Sequence, residues 1–218
     1  VGAVATRDVV PVLLEGLKRL EYRGYDSAGI AYRNNGEIHI VKRAGKLSEL
    51  GKLLDQQPLT AHMAIAHSRW ATHGGPTDIN AHPHYDAFEQ VAIIHNGIIE
   101  NFQELRDELG AKGHVFRSQT DTEVAAHVIG QEYREGVPLE EAVRIAVKRL
   151  RGAYAMVVVS KREDGKIVAV RNSSPLVVGL GKGENLLASD IPALLPYTRE
   201  VVIIEENHLA VLTKDSVR

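Results

Sequence analysis

Three short polar stretches carry side chains able to do chemistry. In His67-Ser68-Arg69-Trp70-Ala71-Thr72-His73-Gly74-Gly75, Arg69, Thr72 and His73 can all donate to a carboxylate, and the Arg can do so with two parallel bonds. The stretch follows the apolar run Met63–His67, so it leaves a strand end, where loops build sites. By itself the same loop reads equally as a solvated turn with one ion pair. The run Val91–Asn101 carries a buried strand into Asn96-Gly97. A glycine can expose its backbone N–H to a close ligand, and an Asn amide beside it supplies a second donor, which suits an oxyanion hole. The dipeptide is also a hairpin-turn signal. Against a turn, Ile98-Ile99 does not alternate as a returning strand would. In Ser118–Glu123, Asp121 falls in the first turn of a helix, where an acid offsets the helix dipole. A sharper reading pairs Asp121 with a substrate ammonium. Donors for a carboxylate and an acid for an ammonium together describe a site for a free amino acid.

Other chemistries fit less well. His67, His73, His82, His84 and His95 invite a metal, but no acid completes a recognisable ligand spacing around His82-Pro83-His84, and no metal or other cofactor is expected. Gly179-Leu180-Gly181-Lys182-Gly183 lacks the dinucleotide and phosphate-loop spacings and reads as a turn between strands. The 218 residues hold no Cys, which excludes disulfides and thiolate metal sites among them. A net charge of −2 argues against a nucleic-acid partner. No apolar run approaches the roughly 18 residues of a membrane span. Arg7-Asp8 interrupts the apolar N-terminus too early for a signal peptide, so the cytoplasm is the expected compartment. Asn172-Ser173-Ser174 then reads as a chance glycosylation triplet.

These loops need elements to hold them. Asp8–Leu20 reads as an amphipathic helix, with Asp8 able to cap it and Val9, Val12, Leu13, Leu17 and Leu20 on one stripe. Ile30–Tyr32 and Ile38–Lys42 read as strands around the turn Asn34-Asn35-Gly36, and Leu47–Leu54 as a short helix. Met63–His67 and Val91–His95 read as buried strands. A helix starts at Thr120, with Glu123 at capping-box spacing, and another spans Leu139–Leu150. After Gly152 six short strands follow, from Tyr154–Ser160 to Leu209–Thr213. Strict strand–helix alternation is absent, so helices outside two face-to-face sheets suit the pattern better than a doubly wound parallel sheet. Val1-Gly2-Ala3-Val4 reads as the middle of a buried strand, and residues upstream of it are expected.

Tyr22-Arg23-Gly24-Tyr25-Asp26-Ser27-Ala28-Gly29, Arg69–Gly74, Asn80-Ala81-His82-Pro83-His84, His95–Asn101 and Thr120–Glu123 occur in this order. Together they resemble the glutaminase domain of the glucosamine-6-phosphate synthase (glutamine–fructose-6-phosphate amidotransferase) family. The similarity covers essentially the whole of residues 1–218 and includes Arg151–Tyr154 and Ser174-Pro175-Leu176. The resemblance implies an α+β fold, the four-layer αββα sandwich of N-terminal-nucleophile hydrolases, with two mainly antiparallel sheets flanked by helices. It implies hydrolysis of the glutamine side-chain amide by an N-terminal Cys, in a Cys-Gly-Ile segment before Val1, with its own α-amino group as base. Asn96 and the Gly97 N–H would hold the oxyanion. Arg69, Thr72 and His73 would bind the glutamine α-carboxylate; Asp121 and the Gly97 carbonyl would bind its ammonium. Arg23 would sit near the nucleophile, and Trp70 and His82 would line the neighbourhood. The implied partners are L-glutamine or L-glutamate and a C-terminal sugar isomerase domain, absent from residues 1–218, within a homo-oligomeric enzyme. The alternative is a non-catalytic amino-acid-binding module that lost its nucleophile, and the residues before Val1 discriminate the two.

Overall fold

In the computed structural model, which describes residues 1–218, the opening apolar run is indeed an interior strand. Gly2–Ala5 (β1) pairs antiparallel with Met63–Arg69 (β4) on one side and Glu184–Ala188 (β10) on the other. The hairpin between Ser27–Asn34 (β2) and Glu37–Ala44 (β3) turns on Asn35 and Gly36, both at positive φ, as a tight two-residue loop demands. With Val177–Leu180 (β9) and Val201–Ile203 (β11) these strands form one seven-stranded sheet, ordered β11-β9-β10-β1-β4-β2-β3. The second sheet has five strands, running across the sheet from Leu209–Leu212 (β12) through Ile167–Asn172 (β8), Gly152–Ser160 (β7) and Val91–Ile99 (β6) to His84–Tyr85 (β5).

The sheets pack face to face, and helices cover both outer faces. Consecutive strand residues point to opposite sides, so a strand buried on both sides must be apolar throughout. In β4, Met63 and Ile65 enter the core between the sheets, while Ala64 and Ala66 face the helices Val10–Arg19 (α1) and Leu47–Gln56 (α2). In β7, Ala155, Val157 and Val159 face the other sheet. Tyr154, Met156 and Val158 face Phe102–Ala111 (α3), Asp121–Glu132 (α4) and Leu139–Ala146 (α5). Each fully buried Leu or Ile, such as Leu13, Ile65 or Ile129, contributes about 1.5–3 kcal/mol. The result is the expected four-layer αββα sandwich.

Some boundaries differ from expectation. The first helix begins at Val10, with Val9 at the cap position; Asp8 stays outside it, its carboxylate accepting from Val10 N at the helix start at 3.1 Å and from Ala61 N in the loop before β4 at 3.0 Å. The fifth helix stops at Ala146 and tightens into a 3₁₀ turn over Val147–Arg149. Helix α3 was not expected from the sequence: only Phe102, Leu105 and Leu109 mark its apolar side, and mostly polar and charged residues fill the remainder. No helix is long and apolar enough to cross a membrane.

Candidate functional site

Strands β4 and β6 belong to different sheets, and their polar ends meet. Asn96 and Gly97 do not form a turn; they lie within β6, opposite Ala155 and Tyr154 of β7. Gly97 has φ +117°, and an added Cβ would fall 2.0 Å from the Ala153 carbonyl oxygen, so no other residue fits this backbone path. The Asn96 side-chain oxygen lies 2.8 Å from His67 Nε2 on β4, a bond that spans the two sheets.

From β4 the chain turns at Arg69 into the 70–75 loop. The buried Arg69 guanidinium donates to the carbonyls of His73, Gly74 (3.2 Å) and Gly75 (3.4 Å). Three of its five N–H groups are thus spent on the loop, and two remain for a ligand. Burial pulls the Arg69 pKa below its ordinary value, and Asp121 and Asp26 oppose that shift. The Tyr22–Gly29 octet lies against this loop: Asp26 Oδ2 accepts from Ala71 N at 2.9 Å, and the Tyr25 ring packs on Trp70 at 5.6 Å. Gly29 leaves room for the His82 carbonyl, which a Cβ would meet at 2.2 Å.

The third stretch opens α4. Thr120 caps the helix by accepting from Glu123 N at 3.2 Å. The Glu123 carboxylate does not close a capping box onto Thr120 N but reaches further back, to Arg117 N and Ser118 N, both at 2.7 Å. Asp121 is buried, and its Oδ2 accepts from Ile99 N at 2.9 Å, which locks the α4 terminus to the end of β6. His73 Nδ1 lies 3.9 Å from the same oxygen.

Arg69, Trp70, Thr72, Asn96, Gly97 and Asp121 line one cavity of about 360 Å³, with Arg23 and His82 also on its wall. Of the expected residues His73 alone is off that wall: its carbonyl holds Arg69, and its ring packs edge-on against Phe102 at 4.8 Å. Arg23 sits at the rim, donating to the Ser189 carbonyl at 3.1 Å. Trp70 is 57% exposed. Among the wall residues given no site role in the sequence are His67, which was weighed only among the histidines for a metal, and Thr122, which appeared only within the Thr120–Glu123 motif.

A cluster of imidazoles forms part of this wall, as His67, His82 and His95, and continues behind it to His84. The His67 and His82 rings are 4.5 Å apart, and His82 and His84 are 5.2 Å apart. The Thr122 hydroxyl lies 3.0 Å from His82 Nε2 and 2.9 Å from His95 Nδ1. Burial strips water from all four rings and disfavours their charged forms: His67 is pushed down to about 3, and His82, His84 and His95 are also lowered. No three His, Asp or Glu side chains converge as a metal-ligand set. A larger cavity, about 570 Å³, lies by β5, but its charged groups already have partners. Lys42 donates to the Ile79, Ala81 and Pro83 carbonyls, and Arg117 pairs with Glu89.

The two-sheet sandwich is shared with solved amidotransferases. A solved glutamine phosphoribosylpyrophosphate amidotransferase from B. subtilis, complexed with ADP and GMP, matches it with a TM-score of 0.85. That match covers 100% of this chain and 47% of the other at 22% identity, so it speaks for the fold alone. The profile of the glutamine amidotransferase domain matches residues 67–196, and the chain belongs to that family. It is 58% identical over 217 residues to a glutamine–fructose-6-phosphate aminotransferase (isomerizing) of Symbiobacterium thermophilum, and 55% identical to one of Thermus thermophilus. These alignments cover 100% of this chain but 35% of each relative, so the chain spans about a third of their length.

Proposed function

We propose that residues 1–218 are the glutaminase domain of a glucosamine-6-phosphate-forming enzyme. The domain hydrolyses L-glutamine to glutamate and ammonia, and the ammonia passes to a C-terminal sugar isomerase domain acting on fructose-6-phosphate, in a homo-oligomeric cytoplasmic protein. The observation that carries this reading is the convergence of Arg69, Thr72, Asn96, Gly97 and Asp121 on one cavity. Two unspent Arg69 donors and the Thr72 hydroxyl suit an α-carboxylate. The second Asp121 oxygen suits an α-ammonium. Asn96 and Gly97 offer a side-chain and a backbone N–H that suit a side-chain amide oxygen gaining charge. His73 acts from behind, through Arg69 and Asp121.

None of the 218 residues is a cysteine, and the nucleophile is assigned to the N-terminal Cys of the family, ahead of Val1. The β1–β4 ladder supports this. Gly2 pairs with Ile65, and Val1 exchanges both backbone bonds with Ala66. Continued one residue at a time, that register leads a preceding segment alongside His67–Arg69, the edge of the cavity. A binding module without a nucleophile would share the pocket, but the similarity to aminotransferases favours the enzyme.

The test is glutamate release from glutamine by the full-length protein, with and without fructose-6-phosphate. Asn96→Ala is expected to lower kcat by about 10²–10³-fold. No glutamate release from a correctly folded full-length protein would sink the reading.

A further inference from the structure

We propose that His67 is the positioning residue for the oxyanion donor: its Nε2–H holds the Asn96 side-chain oxygen and thereby turns the Asn96 amide nitrogen into the cavity. This rests on the glutaminase reading above.

An Asn amide can sit in two orientations, and only one presents its NH₂ to a substrate. The Asn96 oxygen is an acceptor only, and His67 Nε2 lies 2.8 Å from it, so the contact requires a proton on Nε2. The other ring nitrogen, Nδ1, is buried without a partner. Orphaned buried N–H groups are rare, so the tautomer that leaves Nδ1 as a bare lone pair is the one this surrounding selects. The opposite tautomer would bury an unpaired Nδ1–H and set a bare Nε2 against the Asn96 oxygen. The ring cannot swing away, because His82 packs on it at 4.5 Å and is itself held by the Thr122 hydroxyl. Burial also keeps the ring neutral, which avoids a cation behind the site.

Position adds a second consequence. His67 stands on β4, the strand that pairs with β1, whereas Asn96 stands on β6 of the other sheet. One hydrogen bond therefore ties the oxyanion donor of one sheet to the β1–β4 edge of the other, beside which the nucleophile is assigned. Donation into the amide oxygen also polarises the amide and strengthens its N–H as a donor.

The experiment is a mutant cycle on glutamine hydrolysis by the full-length protein. His67→Ala is expected to lower kcat about 10–100-fold, with KM within about twofold, because it misaligns a donor without touching the ground-state contacts. His67→Gln, whose amide can donate from nearly the same place, should recover most of that loss. His67→Ala combined with Asn96→Ala should be no slower than Asn96→Ala alone. Additive losses, or a Gln variant no better than Ala, would overturn the proposal. An unchanged kcat in Asn96→Ala would instead remove the oxyanion reading on which it rests. Independently of catalysis, ¹⁵N NMR of the full-length protein labelled at histidine should show His67 as the neutral Nε2–H tautomer from pH 5 to 8. A Nδ1–H tautomer, or titration in that range, would equally overturn it.

Discussion

Asp121 ties the start of α4 to the end of β6, and we propose that the same carboxylate also pairs with a substrate ammonium. One oxygen accepts the Ile99 N–H at 2.9 Å, and the side chain lies on the cavity wall beside Arg69 and Thr72. Asp121→Asn keeps an acceptor for Ile99 but loses the charge an ammonium would pair with. A hydrogen bond to a charged group is worth about 1.5–3 kcal/mol. At about 1.4 kcal/mol per tenfold, KM for glutamine should rise roughly 10–100-fold with kcat within a few-fold. Steady-state kinetics check this, and an unchanged KM would end the ammonium role of Asp121. His73 sits differently from its neighbours in the sequence motif. Its carbonyl holds Arg69 and its ring stands off the cavity, so its variants act on the loop as a whole.

At the scale of elements, the site depends on how α4 is started. The buried Thr120 hydroxyl accepts from Glu123 N and also meets Ser118 Oγ at 3.0 Å and His84 Nε2 at 3.1 Å. Removing a capping hydroxyl costs about 0.5–2 kcal/mol, and here it also leaves those partners short of a bond. A chain of this size loses about 2–4 °C of Tm per kcal/mol, so at the upper cost of about 2 kcal/mol Thr120→Ala should melt roughly 4–8 °C lower. Thr120→Ser should stay close to the parent. Thermal unfolding followed by circular dichroism distinguishes them, and equal melting of both variants would refute the cap. Helix α3 had a weaker signature than α4 because three apolar residues among charges suffice to seat it on the core.

For the whole molecule, the buried imidazoles govern acid stability. His67, His82, His84 and His95 are lowered in the folded chain, His67 to about 3 and His127 to about 4, against an ordinary value of 6.5. Between those values and 6.5 the unfolded chain binds protons that the folded chain refuses. Stability is therefore fully present above pH 6.5 and falls as the pH drops toward 3. Each such histidine contributes up to about 1.4 kcal/mol per pH unit in that window. Denaturant titrations at pH 7.5, 6, 5 and 4 should show a slope well above that of a single proton near pH 5. A flat profile over this range would mean that the rings are not buried and neutral.

The loops proposed to carry the chemistry were legible from residue types. Arg69, Thr72, Asn96, Gly97 and Asp121 were recognisable because donors, a strand-end Asn-Gly and a capped acid each answer to a local rule, and all five line the cavity. The β2–β3 turn and the Thr120 cap were local in the same sense, since backbone sterics and orphan helix N–H groups depend only on near neighbours. Two kinds of fact were not local. That Asn96-Gly97 belongs to a continuing strand follows from its pairing with Ala155 and Tyr154, more than fifty residues away. The partner of the Asn96 oxygen is His67, on the other sheet, and nothing within reach of either residue along the chain marks that bond. Spacing along a chain reports which groups one element can present. Only packing decides which groups of separate elements meet, because their separation is set by the side chains buried between the layers.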